Sequence, residues 1–210
     1  MAETFSQPPV SKTRRGEARR QKLMETAAEV FMEQGYAGAS VNEIVRRAGG
    51  SLSTLYRLFG NKLGLFEAML AERTEEVFAP FEEDGVWTDD GEASLRAFGR
   101  HIQQRLMQDD AVEIFRLVVS ERGEDRERIQ QFFFEEGPRR AQQLLASYLQ
   151  RQVDKGNLRE LDCEMAASQF IDMTRAPFFY ARLFGHMPRK AEQERALEQA
   201  LSLFLHGAGR

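Results

Sequence analysis

Apolar residues recur every three or four positions along most of the chain, which is the spacing of an amphipathic helix. In the N-terminal part this pattern predicts a first helix that ends at Gly35, a second that starts after Ser40 and a third that starts after Ser51. Ser40 stands three residues before Glu43, the spacing of a capping box, in which each side chain accepts from a backbone amide of the first turn. A tight turn at Gly49 and Gly50 is expected between the second and third helices.

Helical periodicity continues through the rest of the chain. A fourth helix is expected between Asn61, a capping residue, and Pro80. The further predicted helices, with a break at Gly137 and Pro138, are 92–107, 110–122, 125–153, 162–184 and 188–206. Pro and β-branched residues are sparse, so the predicted fold class is all-α.

The net charge of −4 is divided unevenly along the chain. Residues 1–62 hold 10 Lys or Arg against 6 Asp or Glu, whereas residues 63–210 hold 19 against 27. A basic segment can contact phosphates, and an acidic remainder keeps the rest of the surface away from nucleic acid. The asymmetry could also be a chance excess of surface charge, so it supports a nucleic-acid partner without deciding for one.

Several classes of protein are disfavoured by the composition. No apolar run approaches the roughly 18 residues of a membrane-spanning helix, and the basic N-terminus lacks the apolar block of a signal peptide. The single cysteine, Cys163, allows no intrachain disulfide and fits a reducing compartment. His101, His186 and His206 are too dispersed to indicate a metal site, and no catalytic triad or phosphate loop is present. We expect a cytoplasmic protein with no cofactor, no membrane partner and no enzymatic activity.

Two short helices joined by a glycine-containing turn meet the needs of a protein that reads the major groove of DNA. Short side chains at Ser53 and Thr54 would let the third helix approach the base edges. The hydroxyl of Tyr56 and the ammonium of Lys62 can reach phosphates, and the arginines of the second helix could contact either group. The candidate DNA-binding residues are Ser40, Arg46, Arg47, Ser51, Ser53, Thr54, Tyr56, Arg57 and Lys62.

The N-terminal domain of TetR/AcrR-type bacterial repressors resembles residues 17–70, EARRQKLMETAAEVFMEQGYAGASVNEIVRRAGGSLSTLYRLFGNKLGLFEAML. The similarity spans about 50 residues, a length over which chance agreement is implausible. It implies DNA-facing roles for Ser40, Arg47, Ser53, Thr54, Tyr56 and Lys62, and core roles for Leu55 and Phe59. At Gly50 an apolar residue is commoner in that family, so a looser turn is expected here.

The resemblance also implies a domain organisation and a mode of action. We expect a flexible tail at 1–13, a helix-turn-helix domain at 14–62, and a ligand-binding and dimerisation domain at 63–210. The expected protein is a homodimeric repressor that binds operator DNA and is released by a small, hydrophobic effector. Basic residues at the start of the first helix are either a solvated tail or an arm that reaches the minor groove, namely Arg14, Arg15, Arg19 and Arg20.

Candidate residues of the C-terminal domain are chosen from its large side chains, for which core packing is the alternative. The expected ligand pocket is lined by Trp87, Phe98, His101, Met107, Phe115, Phe134, Met173 and Phe178. The expected dimer interface comprises Phe170, Thr174, Leu197, Leu201 and Phe204.

Two other classes of function compete with this hypothesis. An enzyme is disfavoured because adjacent acidic pairs such as Glu135 and Glu136 point in different directions on a helix. A helical adaptor that binds another protein would explain exposed Phe residues, but not a capped, basic helix-turn-helix. Binding to DNA in the presence of competitor DNA discriminates among the three classes.

Overall fold

The structure is a computed structural model that describes residues 14–82 and 86–208. The predicted tail at 1–13 lies outside the described residues. The all-α prediction is confirmed, with a π-helical turn at Glu135–Arg139 where Pro138 interrupts the regular pattern. The helices are α1 (Arg14–Gly38), α2 (Val41–Ala48), α3 (Leu52–Phe59), α4 (Lys62–Glu82), α5 (Gly91–Leu106), α6 (Asp109–Ser120), α7 (Arg126–Phe134), α8 (Arg140–Asp154), α9 (Cys163–Leu183) and α10 (Lys190–Ala208).

The chain divides into two compact units. Among the described residues, unit 1 comprises 14–73 and 117–133, and unit 2 comprises the remainder. Unit 1 therefore includes the first half of α4 and the segment that contains α7, both beyond the boundary predicted at residue 62. No helix in these two described stretches of chain is long and apolar enough to cross a membrane.

An aromatic cluster forms part of the core of unit 1. The rings of Phe31 and Tyr36 stack at 5.6 Å, and both lie edge-on to Phe66 of α4 at 5.4 Å. Edge-to-face and offset-stacked pairs are the favoured aromatic geometries, and these rings are almost fully buried. Because Phe66 completes this cluster, the compact unit extends into α4.

Unit 2 has a separate core built from the faces of α5, α8, α9 and α10. Helix α5 approaches its neighbours closely at Gly99, where a Cβ atom would lie 2.7 Å from Leu197 Cδ1. The buried amide of Gln103 donates from Nε2 to the carbonyl oxygens of Thr174 and Gln193. The buried polar group thus links α5 to α9 and α10 without being left unpaired.

Candidate nucleic-acid interface

Helices α2 and α3 are bounded by the signals that the sequence predicts. Ser40 Oγ accepts from Asn42 N at 3.2 Å, and Ser51 Oγ accepts from Thr54 N at 3.2 Å. Gly49 ends α2 in the left-handed conformation, with φ 70° and ψ 47°, which a residue with a side chain rarely adopts. These contacts fix a short helix, a turn and a second short helix, as predicted.

Helix α3 separates an inner face from an outer one. Leu55, Leu58 and Phe59 are buried, whereas Ser53, Tyr56 and Arg57 are exposed. The core roles expected for Leu55 and Phe59 are confirmed, and Leu58 is a further core residue, to which the resemblance assigned no role. The exposed face carries small and polar groups, which is the composition that a groove-reading helix needs.

Three hydroxyl groups lie together at the start of α3. Ser51 Oγ is 2.9 Å from Ser53 Oγ and 2.9 Å from Thr54 Oγ1. Ser51 therefore caps the helix and also orients the hydroxyl groups of its two neighbours. A hydroxyl that is both donor and acceptor can hold such a network and still present a group to a base edge.

The two arginines of α2 form ion pairs with acidic residues of unit 1. Arg46 and Arg47 both donate to the carboxylate of Glu43, and Arg47 also donates to Glu33 at 2.7 Å. The side chain of Glu43 therefore pairs with guanidinium groups. This corrects the expectation that it accepts from a backbone amide in a capping box with Ser40. Spacing alone did not reveal this, because Glu43 faces basic residues at i+3 and i+4 as well as the helix start.

Two arginines expected either to be solvated or to form an arm are held within unit 1. Arg19 Nη1 donates to Ala48 O at 2.9 Å, and the guanidinium of Arg20 lies 5.7 Å from the ring centre of Phe59. The Cβ position of Gly50 lies 3.7 Å from Arg19 Nη1, so the guanidinium packs over the turn at the residue where the family commonly has an apolar side chain. Helix α1 therefore helps to fix the end of α2.

Lys62 contacts the end of α1 through its ammonium group. Nζ donates to Tyr36 O at 2.9 Å and to Ala39 O at 3.3 Å, and it lies 4.5 Å from the ring centre of Tyr36. Carbonyl oxygens at a helix end carry partial negative charge, so a cation is favoured there. The phosphate contact expected for Lys62 stays a prediction, beside this structural role.

Tyr36 links the helix-turn-helix to the segment after α6, a contact that sequence spacing could not reveal. Its hydroxyl donates to Asp125 Oδ2 at 2.5 Å across 89 positions of sequence. Burial, together with the hydrogen bond to this carboxylate, raises the pKa of Tyr36 well above its usual range. A second link joins Arg128 Nε to Glu67 Oε1 at 2.6 Å. These contacts explain why residues 117–133 belong to unit 1.

Part of the predicted ligand-pocket set meets in one aromatic cluster of unit 2. Trp87 stacks on Tyr148 at 4.5 Å and lies 5.5 Å from Phe98, while the ring of His101 lies 5.0 Å from Phe81. Trp87 Nε1 donates to Phe81 O, so its polar edge is satisfied. This group of five rings is called the Trp87 cluster below.

Other members of the predicted pocket set lie in different surroundings. Phe115 packs edge-on against Phe179 at 4.9 Å, and Met107 is buried. Met173 and Phe178 are half-buried, and Phe134 is 49% exposed. Core packing, the alternative weighed for these residues, accounts for the position of Met107.

The five residues expected at the dimer interface are buried within their own chain. Four of them belong to the core of unit 2, and the fifth, Thr174, is buried with its hydroxyl donating to Ile171 O at 2.8 Å. These side chains have little accessible surface to lose on association, so the structure gives core positions to the five residues, and the dimer interface stays a prediction for Phe170, Thr174, Leu197, Leu201 and Phe204. Large apolar side chains on α9, on α10 and between them are instead exposed, namely Met165, Tyr180, Phe184, Met187 and Leu203. They are called the apolar surface below.

No group of three or more His, Cys, Asp or Glu side chains within the described ranges 14–82 and 86–208 is arranged to hold a metal ion. What the described residues provide is a capped pair of short helices with a polar outer face, and a helical second unit.

Comparison with known proteins assigns both parts of the chain. Residues 23–69 match the family model of bacterial regulatory proteins of the tetR family. Residues 93–207 match the model of the C-terminal domain of AefR-like transcriptional repressors. The chain is therefore a helix-turn-helix transcriptional regulator. It belongs to the TetR family, whose members are non-enzymatic DNA-binding proteins.

Individual relatives agree with this assignment. The transcriptional activator FasR of Mycolicibacterium smegmatis is 35% identical over 42% of this chain, a match that spans 43% of the length of FasR. A TetR-family regulator from Mesorhizobium loti has 25% identity and a TM-score of 0.79, covering 95% of this chain and 100% of its own. The flavonoid-responsive regulator FrrA, at 23% identity and a TM-score of 0.77, covers 92% of this chain and 98% of its own and shares the fold.

Proposed function

We propose that the protein is a dimeric repressor that binds operator DNA through α2 and α3 and dissociates when a hydrophobic small molecule binds in unit 2. The observation that carries the proposal is the geometry of the helix-turn-helix. Both helices are capped, the turn is tight, and the outer face of α3 carries Ser53, Thr54 and Tyr56. As a regulator of bacterial genes, it would act in the cytoplasm.

Different side chains would serve different parts of the DNA. Ser53 and Thr54 are short enough to let α3 approach the base edges, and Thr54 also has a methyl group that can contact thymine. Tyr56, Arg57 and the two arginines of α2 would contact phosphates on either side of the groove. Ser40 and Ser51, at the two helix starts, would present backbone amides and hydroxyls to phosphates while they cap.

The sequence-reading role of Thr54 leads to a first prediction. Thr54→Ala should reduce discrimination at one base pair by about 1–3 kcal/mol, because one base-edge contact is lost. Thr54→Ser keeps the hydroxyl and Thr54→Val keeps the methyl group, so the pair shows which group reads the base. Affinities for a footprinted operator and its single-base variants are the measurement, with Ser147→Ala of α8 as the control for an exposed hydroxyl.

The same titrations test the proposed function itself. Protection of a defined sequence near the gene of the protein, with weaker binding to random DNA, is the expected result. If Thr54→Ala lost equal affinity for operator and random DNA, Thr54 would position the protein on the DNA and would not read the base sequence. Absence of any preference by the wild-type protein would contradict operator binding altogether.

The aromatic interior of unit 2 supports a bulky hydrophobic effector. The Trp87 cluster gathers five rings, and FrrA, which shares the fold, is described as flavonoid-responsive. Small-molecule sites are commonly lined by aromatic side chains with a few polar groups that orient the ligand. In this cluster the imidazole of His101, which donates to Val77 O at 2.8 Å, is such a group.

A second prediction concerns release from DNA. A planar aromatic compound that binds unit 2 should quench the fluorescence of Trp87, the single tryptophan, and should weaken operator binding by about 5- to 150-fold. Linkage requires saturating operator to weaken compound binding by the same factor. Compounds that quench Trp87 while operator affinity stays constant would contradict release by ligand.

The apolar surface supports the dimer. Its five side chains are 55–80% exposed, and such groups are commonly covered by a partner. Helix α9 buries Phe170 and Thr174 in its own unit and leaves Met165 and Tyr180 on another side. A second copy of the chain, packed on this surface of α9 and α10, would present two helix-turn-helix units to two operator half-sites.

A further inference from the structure

Glu43 lies at the centre of an ion-pair network on the exposed side of α2. Arg46 donates to its carboxylate from Nε at 2.8 Å and from Nη2 at 2.6 Å. Arg47 donates to the same carboxylate from Nε at 2.7 Å, and its Nη1 donates to Glu33 of α1 at 2.7 Å. One carboxylate thus holds two guanidinium groups, and one of the two is held again from α1.

The network cancels charge in the basic part of the chain. Two of the ten Lys or Arg residues of segment 1–62 are matched here by two of its six acidic residues. The hydrogen bonds from Arg46 and Arg47 lower the pKa of Glu43 to about 2, so the carboxylate is charged throughout the neutral range. Neither arginine can therefore move to a phosphate without leaving a charged partner.

We propose that Glu43 determines the specificity of DNA binding by restraining Arg46 and Arg47 against phosphate contacts outside the operator. This inference rests on the proposed role of α2 and α3 in operator binding. The bonds to Glu43 use two of the five N–H donors of Arg46, so a restrained guanidinium can still donate to one phosphate in one direction.

The restraint has unequal effects on the two kinds of complex. On the operator, base contacts fix one pose of α3, in which a guanidinium still held by Glu43 can donate a remaining N–H group to one phosphate. On random DNA the protein samples many poses, and phosphate contacts supply essentially all of the binding energy. Arginines that are held by Glu43 cannot reorient towards the phosphates in each of these poses. The complexes with random DNA are therefore weakened selectively.

The test compares Glu43→Gln with the wild-type protein on a footprinted operator and on random duplex DNA. We expect affinity for random DNA to rise about 5- to 10-fold at 0.1 M salt, with a salt slope steeper by roughly 0.9 for each arginine that gains a phosphate. Operator affinity should change by less than about 2-fold, so the specificity ratio falls. Thermal unfolding of the variant checks that α2 remains folded.

Two control variants distinguish the loss of the restraint on Arg46 and Arg47 from the loss of one negative charge. Glu25→Gln makes the same charge change at an exposed site of α1, where the partner is Lys22 at 3.9 Å, and should leave the specificity ratio unchanged. Glu33→Gln frees only the second contact of Arg47 and should give a smaller change in the same direction.

Each other outcome overturns the inference. An equal rise on operator and random DNA would show a general charge effect, and a fall on the operator alone would show that Glu43 presents the arginines to the operator. Unchanged affinities would mean that the ion pairs have no part in binding. The wild-type titration distinguishes these results from failure of the proposed function, since only that failure abolishes operator preference in the wild-type protein.

Discussion

Phe170→Ala is expected to lower the free energy of unfolding by about 3–5 kcal/mol, because it removes a fully buried ring from the core of unit 2. The ring lies edge-on to Phe204 at 5.2 Å, and one of its carbons would lie 3.4 Å from a Cβ at Gly99. The cavity left at this crowded position cannot collapse easily. Urea unfolding followed by circular dichroism measures the loss.

A charged substitution on the apolar surface should change the oligomeric state and leave the free energy of unfolding nearly unchanged. Phe184 is 80% exposed, so Phe184→Glu should leave the fold intact and shift the protein from the proposed dimer to a monomer in sedimentation velocity. Leu203→Glu on α10 should do the same, and Gln143→Glu, an exposed position on α8, is the control for added charge.

These three substitutions distinguish residues of the core from residues of the dimer interface. If Phe170→Ala yielded a stable monomer, the interface predicted from the sequence would be supported. If Phe184→Glu and Leu203→Glu remained dimeric, the apolar surface would not be the site of dimerisation.

The difference between these residues shows where sequence patterns stop being informative. Helix α9 carries large apolar side chains on more than one face, so periodicity indicates burial without telling which neighbour provides it. Phe170 is covered by the chain itself, whereas Tyr180 and Phe184 are exposed. Which apolar side chains of α9 are buried within the chain depends on where α5, α8 and α10 pack against it.

Local features of the helix-turn-helix were predictable because they depend on neighbouring residues. The caps at Ser40 and Ser51 and the left-handed Gly49 follow from short-range hydrogen bonding and backbone sterics. The contacts of Arg19 with Ala48 and of Tyr36 with Asp125 span 29 and 89 positions. No spacing rule reaches such distances, so the partners of these side chains came only from the structure.

The structure gives Lys62 two possible roles, and a substitution should separate them. Lys62→Met keeps most of the side-chain length but removes the ammonium that donates to Tyr36 O and Ala39 O. Because a hydrogen bond to a charged group contributes about 1.5–3 kcal/mol, we expect a loss of that order in the free energy of unfolding. The two carbonyl oxygens that lose their donor are partly accessible to water, so we expect a loss at the lower end of this range.

DNA binding by the same variant shows whether the ammonium also contacts a phosphate. If Lys62 only positions the end of α1, operator affinity falls with destabilisation while the slope of log affinity against log salt stays constant. A phosphate contact would instead flatten that slope by roughly 0.9 per lost contact. We expect the constant slope, against the phosphate contact predicted from the sequence, since the ammonium is already held by carbonyl oxygens and lies 4.5 Å from the ring centre of Tyr36. Lys22→Met, at an exposed lysine of α1, is the matched control. Lys62→Arg keeps the charge but not the geometry, so it should bind operator DNA poorly if the role of Lys62 is to position the end of α1. Wild-type affinity for Lys62→Arg together with a flatter slope for Lys62→Met would assign Lys62 to the phosphate backbone.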